Sequence, residues 1–416
     1  MLHPLYLSLL VPAACAGFFA LGRFPRLRQL WLLVCSCLFL WAAEPEHWWL
    51  PLVLTGLAWL APIAGKTGAA IYAALAIGTL AVVKLIGQAW PVGLSFVALQ
   101  GIAYAVDAAR DKARRGSLPQ MMHYTLFFPK LSAGPLCRFA AFREEAQTAC
   151  LSWEGMEAGI LRLAFGLGKK LLVADSLYPL AMSGFTAGGH PLGWALTFLC
   201  CTLYVYFDFS GCTDIALGVG QMLGMHLPEN FDRPLHSSSL REFWRRWHIS
   251  LSGFLRDYVY IPLGGSRRGK ARTLINVLIV FALMGLWHGF TWGYLFFGLW
   301  HVLFMILEHA GILTPGRWKA PLARLYTLLI VAVGFVIFMT PGQPSFSLGA
   351  APLRQTIMTL SPMAVLALAA AVTLLVWEGR KPLPVWAARL LALVLLAICW
   401  AHLLAGGYVP MLYAQF

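Results

Sequence analysis

The stretch REFWRRWHISLSGFLRDYVYIPLGGSRRGKAR, residues 241–272, runs directly into the apolar run TLINVLIVFALMGLWHG, residues 273–289. The first part is rich in Arg, Lys and aromatic residues and contains His248. The second part ends around His288, forty residues further along the chain. A basic aromatic segment followed by an apolar run of nearly membrane-helix length predicts a chain that is built into a lipid bilayer.

Composition places most of the chain in lipid. Of its 416 residues 60% are hydrophobic and 12% are charged, whereas soluble proteins carry about 25% charged residues. The net charge is +14. Because Lys and Arg cluster between apolar runs, positive cytoplasmic loops explain this excess better than nucleic-acid binding. The nine cysteines include no CxxC pair, so no zinc site, other metal site or disulfide framework is expected.

Twelve apolar runs are candidates for membrane-crossing helices, which need about 20 residues each. They lie near residues 2–22, 30–43, 48–64, 70–90, 91–107, 157–174, 190–210, 273–288, 292–312, 321–340, 357–377 and 385–405. We therefore predict an all-α fold, a polytopic membrane bundle of about 10–12 helices. Residues 121–140 and 228–262 are predicted to be re-entrant or interfacial. No hydrophilic stretch is long enough for a separate soluble domain, so residues 1–416 are predicted to form one transmembrane domain.

The distribution of Lys and Arg predicts the orientation of the chain. RFPRLR, residues 23–28, is strongly basic, whereas EPEH, residues 44–47, is acidic. The first loop is therefore predicted to be cytoplasmic and the second external. The same rule places the basic loop GGSRRGKAR, residues 264–272, on the cytoplasmic side.

Residues 240–255 have the pattern of an amphipathic helix. Phe243, Trp244, Trp247 and Leu251 recur at helical spacing with arginines around them, and a serine of 237–239 can cap the start. Considered alone, this pattern is typical of a helix that lies in the membrane interface with Trp at headgroup depth.

The loop that follows suggests an anion site. The pair Gly264 and Gly265 permits a tight turn with exposed backbone N–H groups. The cations Arg267, Arg268, Lys270 and Arg272 come next and are candidate contacts for the phosphates of a nucleotide-containing donor or for an acidic carrier protein. The alternative is an ordinary positive loop without a ligand.

His288 is predicted to lie deep in the membrane. Fifteen helical residues after residue 273 rise about 22 Å, in a hydrocarbon core about 30 Å thick. An ionisable side chain at that depth is a functional-site hypothesis, and a neutral imidazole is a suitable general base near pH 7. His301 can face inward too, in a functional or a structural role.

Three segments together resemble one known family. They are YFDFSGCTDIALGVGQMLG, residues 206–224, the segment from Pro228 to Gly265, and MGLWHG, residues 284–289. The combination is similar to the membrane-bound O-acyltransferase (MBOAT) family, in its bacterial branch of alginate O-acetylation and teichoic acid D-alanylation proteins. The segment FFPKLSAGPLCRF, residues 127–139, fits the same family.

The resemblance implies a helical bundle with a central tunnel and two catalytic histidines, His288 and His248. It implies a thioester donor, acyl-CoA or an acyl-carrier protein, which approaches from the cytoplasm, and no tightly bound cofactor. Seven residues are expected to bind the donor or line the tunnel: Trp244, Arg245, Arg256, Asp257, Trp287, Asn230 and Asp208. Arg256 and Asp257 can equally form a local ion pair.

The implied function is transfer of an acyl group, with acetyl favoured, to a hydroxyl of an extracytoplasmic polysaccharide or of a partner-protein relay. The expected location is the bacterial cytoplasmic (inner) membrane, with periplasmic acyltransferase- or esterase-like partner proteins. Three alternatives stay open: D-alanyl transfer to teichoic acid-type polymers, a transporter or flippase, and a scaffold that only recruits other enzymes.

Overall fold

The computed structural model describes residues 3, 5–86, 92–183, 191–342, 361–380, 382–406 and 408–411. Within these ranges the chain forms helices and no strand, with one isolated antiparallel bridge between Phe231 and Trp247. The all-α prediction is therefore confirmed.

The chain divides into two compact units. Unit 1 comprises Met1–Leu167, Gly211–Pro228 and Pro384–Phe416, and unit 2 comprises Gly168–Ser210 and Glu229–Leu383. The prediction of a single domain over residues 1–416 is not tested by this division and stays a prediction.

Unit 1 contains nine complete α-helices among the described residues. They are α1 (Val11–Ala20), α2 (Pro25–Ala43), α3 (Trp49–Leu60), α4 (Gly65–Ile86), α5 (Leu94–Arg110), α6 (Leu118–Leu126), α7 (Phe139–Thr148), α8 (Trp153–Leu167) and α17 (Val385–Leu404). Helix α10 (Pro191–Met222) contributes residues 211–222 to this unit.

Unit 2 contains the region that carries both predicted catalytic histidines. A π-helical segment, Gly168–Ala174, leads into its first α-helix. Its helices are α9 (Asp175–Ser183), residues 191–210 of α10, α11 (Leu240–Arg246), α12 (Ile249–Leu255), α13 (Lys270–His288), α14 (Trp292–His309), α15 (Ala320–Met339) and α16 (Pro362–Trp377).

Six helical stretches are long and apolar enough to cross a membrane, when the described residues alone are considered. They are Pro25–Ala43, Trp49–Ile86, Gly193–Met222, Lys270–His288, Ala320–Met339 and Val385–Leu404. Tyr6–Ala20 and Pro362–Trp377 are shorter apolar helices. Each of the twelve predicted runs overlaps a helix. Residues 2, 4, 87–91, 190 and 357–360 of these runs lie outside the described residues.

The predicted amphipathic helix over residues 240–255 is divided in two. Its predicted start is confirmed, because the Ser239 side chain accepts a hydrogen bond from the Glu242 N–H at 3.2 Å. Trp247 is extended and His248 has a left-handed conformation, so α11 ends before them and α12 begins after them. Trp244 and Trp247 are buried within unit 2, so other parts of the protein cover both rings. The placement of this segment in the membrane interface stays a prediction.

Helices α13 and α14 approach each other through glycine. A Cβ atom at Gly298 would lie 2.4 Å from the carbonyl oxygen of Phe281, and one at Gly285 would lie 2.3 Å from that of Tyr294. Small residues let helix backbones come this close in membrane proteins. The contact fixes the position of the C-terminal end of α13, where His288 lies.

Replacing Gly298 with Ala is expected to force α13 and α14 apart, because its methyl group meets backbone that cannot rotate away. We expect a loss of about 1–3 kcal/mol, typical of overpacking, visible as a lower thermal midpoint of the detergent-solubilised chain. Gly78→Ala in α4 is the matched control, since a Cβ there meets nothing within 4 Å. Equal midpoints for the two variants would contradict the close approach.

Candidate active site

His288 is the last residue of α13 and is buried within unit 2, with 5% of its surface exposed. Its ring lies 4.7 Å from Trp287 and 4.8 Å from Phe338 between centroids, and the Phe338 contact is edge-on at 88°. Tyr294 and Phe297 follow at 6.0 and 6.3 Å. We call these four side chains the aromatic enclosure. The imidazole is surrounded by protein side chains and does not face a lipid surface.

His248 is the N-cap residue of α12 and is 2% exposed. Its φ and ψ angles, 44° and 53°, lie in the left-handed region that residues other than glycine seldom occupy. Burial lowers its pKa well below the usual histidine value, because a charged ring loses hydration there. The ring is therefore neutral near pH 7. Phe209 of α10 meets it edge-on at 4.7 Å.

Asn230 holds the unusual turn at His248 in place. Its carbonyl oxygen accepts the N–H of Ile249 at 3.0 Å, and its side-chain oxygen Oδ1 accepts the N–H of Ser250 at 3.2 Å. The first N–H groups of a helix need such acceptors, which the N-cap side chain usually supplies. The side chain of His248 makes no capping bond. A residue eighteen positions earlier therefore caps α12, and the imidazole of His248 does not take part in the cap.

Trp287 contacts both histidines. Its ring centroid is 4.7 Å from that of His288 and 6.4 Å from that of His248. The centroids of the two imidazole rings are therefore at most 11.1 Å apart. The structure thus brings the two predicted catalytic residues into one site, with a predicted tunnel residue between them.

Trp244 and His301 form the next layer. The Trp244 ring is edge-on to Phe281 at 5.1 Å and to His301 at 5.2 Å. His301 is fully buried, and its Nδ1 lies 2.9 Å from the carbonyl oxygen of Phe297. Because a carbonyl oxygen only accepts, Nδ1 carries the proton and donates this hydrogen bond. His301 therefore faces inward beside the aromatic enclosure.

The remaining predicted donor or tunnel residues fall into two groups. Arg245 and Arg256 are exposed. Arg256 donates to both carboxylate oxygens of Asp257, from Nε at 2.8 Å and from Nη2 at 3.2 Å, which is the local ion pair foreseen as an alternative. Asp208 is buried and pairs with Lys170.

The predicted phosphate cradle at Gly264 and Gly265 is not formed by exposed N–H groups. Both residues have positive φ, so the predicted tight turn is present. The N–H of Gly264 donates to Ile261 and that of Gly265 donates to Tyr260. That part of the prediction is therefore wrong, because the turn uses these N–H groups itself.

The four cations of the loop are unequal. Arg267, Arg268 and Lys270 are exposed. Arg272 donates from Nε and Nη2 to the carbonyl oxygen of Leu263, at 3.3 and 3.2 Å, and so fastens the loop to the start of α13. Three side chains are thus placed to meet a soluble ligand, and Arg272 has a structural partner.

Sequence reasoning missed several residues that touch the site. Four are aromatic: Phe209, Tyr294, Phe297 and Phe338. Their spacing identifies buried helix faces but not which of those faces surrounds a histidine. Lys170 and Asp175 were missed as well. A lysine and an aspartate in or directly after an apolar run were the available signal for these two.

Comparison with known proteins identifies the family of this chain. The family model for MBOAT, the membrane-bound O-acyltransferase family, matches residues 47–340, which include both histidines. The chain belongs to the membrane-bound O-acyltransferase family. The MBOAT match, together with the apolar helices, makes it a multi-pass membrane protein.

Three relatives indicate the range of the bacterial MBOAT branches that resemble this chain. "Probable alginate O-acetylase AlgI" of Azotobacter vinelandii is 39% identical over 251 residues, 60% of this chain and 50% of the relative. "Peptidoglycan O-acetyltransferase" of Helicobacter pylori is 29% identical over 392 residues, covering 79% and 73%. "Teichoic acid D-alanyltransferase" of Bacillus subtilis is 31% identical over 268 residues, covering 59% and 68%. The chain spans about half the length of the alginate relatives that it matches.

Replacing Asn230 with Ala is expected to loosen the first turn of α12, because the Ser250 N–H loses its acceptor. We expect a loss of about 1 kcal/mol in stability, as for other caps, and faster amide hydrogen exchange in the peptide around residues 248–252. Asn230→Asp is the control, since it keeps the acceptor oxygen. Exchange in the alanine variant that matches the parent would show that Asn230 does not hold this turn.

Proposed function

We propose that this chain transfers an acyl group from a cytoplasmic thioester to a hydroxyl group on the opposite side of the membrane. The observation that carries the proposal is the pair of buried imidazoles, His288 and His248, joined by Trp287 within the region that matches the family. A general base and a hydrogen-bond donor within one water-poor site are the groups that acyl transfer to an alcohol requires.

In the proposed mechanism His288 is the general base. It takes the proton of the acceptor hydroxyl while the oxygen attacks the thioester carbonyl, and a tetrahedral oxyanion forms. When the intermediate collapses, the C–S bond breaks and the proton passes from His288 to the leaving thiolate, which gives an ester and a free thiol. Base catalysis of this kind contributes about 10²–10⁴-fold in rate.

His248 is proposed to stabilise the oxyanion. A neutral imidazole has one N–H group that can donate to the developing negative charge. Because the ring is buried and its backbone is fixed by Asn230, little reorganisation is needed during the reaction. One preorganised donor is worth about 3 kcal/mol in the transition state.

The donor is proposed to be acyl-CoA or an acyl-carrier protein, and no cofactor is proposed to be bound tightly. A cavity of about 370 Å³ lies at the start of α13 and is lined by Arg241, Tyr260 and Thr273, among others. Thr273 and His288 lie fifteen residues apart on one helix, about 22 Å. The cavity and the exposed Arg267, Arg268 and Lys270 are suited to the anionic part of such a donor, with its thioester extended toward His288.

Acetyl is proposed as the acyl group. The aromatic enclosure packs closely around His288, which favours a short acyl chain. Of these three relatives the alginate protein has the highest identity, and its name is that of an O-acetylase. The alternative is D-alanyl transfer to a teichoic acid-type polymer, since a teichoic acid D-alanyltransferase is also similar.

The acceptor is proposed to be an extracytoplasmic polysaccharide such as alginate, or a hydroxyl of a partner protein that relays the acyl group to it. The named polymers of the relatives, alginate and peptidoglycan, support a polysaccharide. We place the chain in the bacterial cytoplasmic (inner) membrane, with periplasmic acyltransferase- or esterase-like partners. The alternative functions are a transporter or flippase and a recruiting scaffold.

Thiol release tests the proposed function and separates it from these alternatives. The chain reconstituted in proteoliposomes is given acetyl-CoA, or a chemically acetylated carrier protein, with an oligosaccharide acceptor. Free thiol and ester-linked acetate should appear together and in equal amounts. A transporter moves its cargo without consuming thioester. Acceptor movement without thiol release, with either donor, contradicts an acyltransferase.

Replacing either imidazole is expected to abolish most of this turnover. His288→Ala should lower the rate by about 10²–10⁴-fold and His248→Ala by about 10²–10³-fold, while both variants stay inserted in the membrane. His226→Ala is the control, because His226 is exposed in unit 1. A folded His288→Ala variant with parental turnover would remove the assignment of the base.

Replacing Phe338 with Ala is expected to widen acyl specificity, because Phe338 packs against His288 and Phe297 at 4.8 and 5.1 Å. The ratio of butyryl-CoA to acetyl-CoA turnover should rise about tenfold, within the range typical of small changes in a hydrophobic pocket. Phe296→Ala, at an exposed position of α14, is the control. An equal fall in turnover with both donors would contradict a role in chain-length selection.

A further inference from the structure

Unit 2 contains a buried ion triad that the proposed mechanism does not use. The Nζ atom of Lys170 lies 2.5 Å from Oδ1 of Asp175 and 2.6 Å from Oδ1 of Asp208. The side chains are 0%, 3% and 1% exposed, respectively. Burying charges is costly even when they are paired. Asp208 also lies inside the apolar span Gly193–Met222, where ionisable residues are rare and mark function by default.

The π-helical segment Gly168–Ala174 makes the triad possible. In an α-helix, residues five apart point about 140° away from each other, since each residue turns by 100°. The wider π-turn closes between residues i and i+5, which is the spacing of Lys170 and Asp175. π-Helical turns are frequent at functional sites.

Asp208 connects the triad to the candidate active site. The next residue of α10 is Phe209, whose ring meets His248 edge-on at 4.7 Å and Phe231 edge-on at 5.0 Å. The ion pair of Asp208 restrains the rotation of α10 about its own axis, and that rotation sets the position of the Phe209 ring. The same ring packs against Trp247 at 6.1 Å, so both residues of the unusual turn rest on it.

We propose that Lys170, Asp175 and Asp208 are positioning residues that hold Phe209, and through Phe209 the imidazole of His248, in the geometry for the reaction. The inference rests on the proposed function for its kinetic consequence, but its structural consequence can be measured without any substrate. If the triad served stability alone, changing it would lower turnover by the same factor whether or not His248 is present.

The kinetic experiment is a double-mutant cycle with reconstituted chain and acetyl-CoA as the probe. Asp208→Asn keeps the shape of the side chain and removes its charge. We expect kcat to fall about 10- to 100-fold, the scale of a misplaced catalytic group, with KM nearly unchanged. In the His248→Ala background the same change should alter kcat by less than about twofold, because the residue that it positions is absent.

Phe209→Leu serves as a second variant if Asp208→Asn does not insert stably. It removes the ring contact and leaves the triad in place, so it should reproduce the loss in kcat and its disappearance in the His248→Ala background. Arg162→Met is the matched control. Arg162 donates to Asp214, on the same helix α10, from Nε at 3.0 Å. Arg162→Met should lower kcat by the same factor with His248 present and in the His248→Ala background.

The structural experiment is amide hydrogen exchange of the intact chain in detergent. Asp208→Asn should speed exchange selectively in the peptide around residues 246–252, and Arg162→Met should not. Equal kcat losses with and without His248, or unchanged exchange in that peptide, would overturn the inference. If the parent chain releases no thiol from any donor, the proposed function fails, and the exchange experiment still decides the inference.

Discussion

The candidate site depends on two hydrogen bonds accepted by Asn230. They satisfy the N–H groups of Ile249 and Ser250 at 3.0 and 3.2 Å, which the helix start would otherwise leave without acceptors. In a membrane protein this requirement is stricter than in water, because hydrocarbon offers no substitute partner. With its cap supplied from elsewhere, α12 can begin at a residue whose side chain does no capping. That residue is His248.

The same logic explains why the site is lined with aromatic rings. Edge-on contacts let the positive edge of one ring approach the negative face of another, which gives attraction without a hydrogen-bond partner. Phe338 and Trp287 contact His288 in this way, and Phe209 contacts His248 in this way. Rings also exclude water and are rigid, so a proton acceptor and a hydrogen-bond donor can keep fixed positions in a medium of low polarity. That medium strengthens each electrostatic interaction in the site.

Much of this architecture could be predicted from local sequence. Apolar run length predicted the helices, and the serines at 237–239 predicted the start of α11, because both depend on neighbouring residues. The break at Trp247 and His248 could not be predicted from residues 240–255, since it depends on pairing with residues 230–232. The phosphate cradle failed for a different reason: the N–H groups of Gly264 and Gly265 donate to the carbonyl oxygens of Ile261 and Tyr260 within the same turn, and a pair of glycines predicts a turn without predicting these bonds.

The buried ion triad marks the limit of such reasoning most clearly. In a hydropathy profile Lys170 and Asp208 are two unrelated charged residues in two apolar runs, and each is unfavourable in lipid. Only the fold brings them together at 2.6 Å, and only the π-helical segment brings Asp175 to the same ammonium group. A polar residue in an apolar run therefore indicates that a partner exists without identifying it. Which residue is the partner depends on how the helices are rotated about their axes, and the sequence of one helix alone does not predict that rotation.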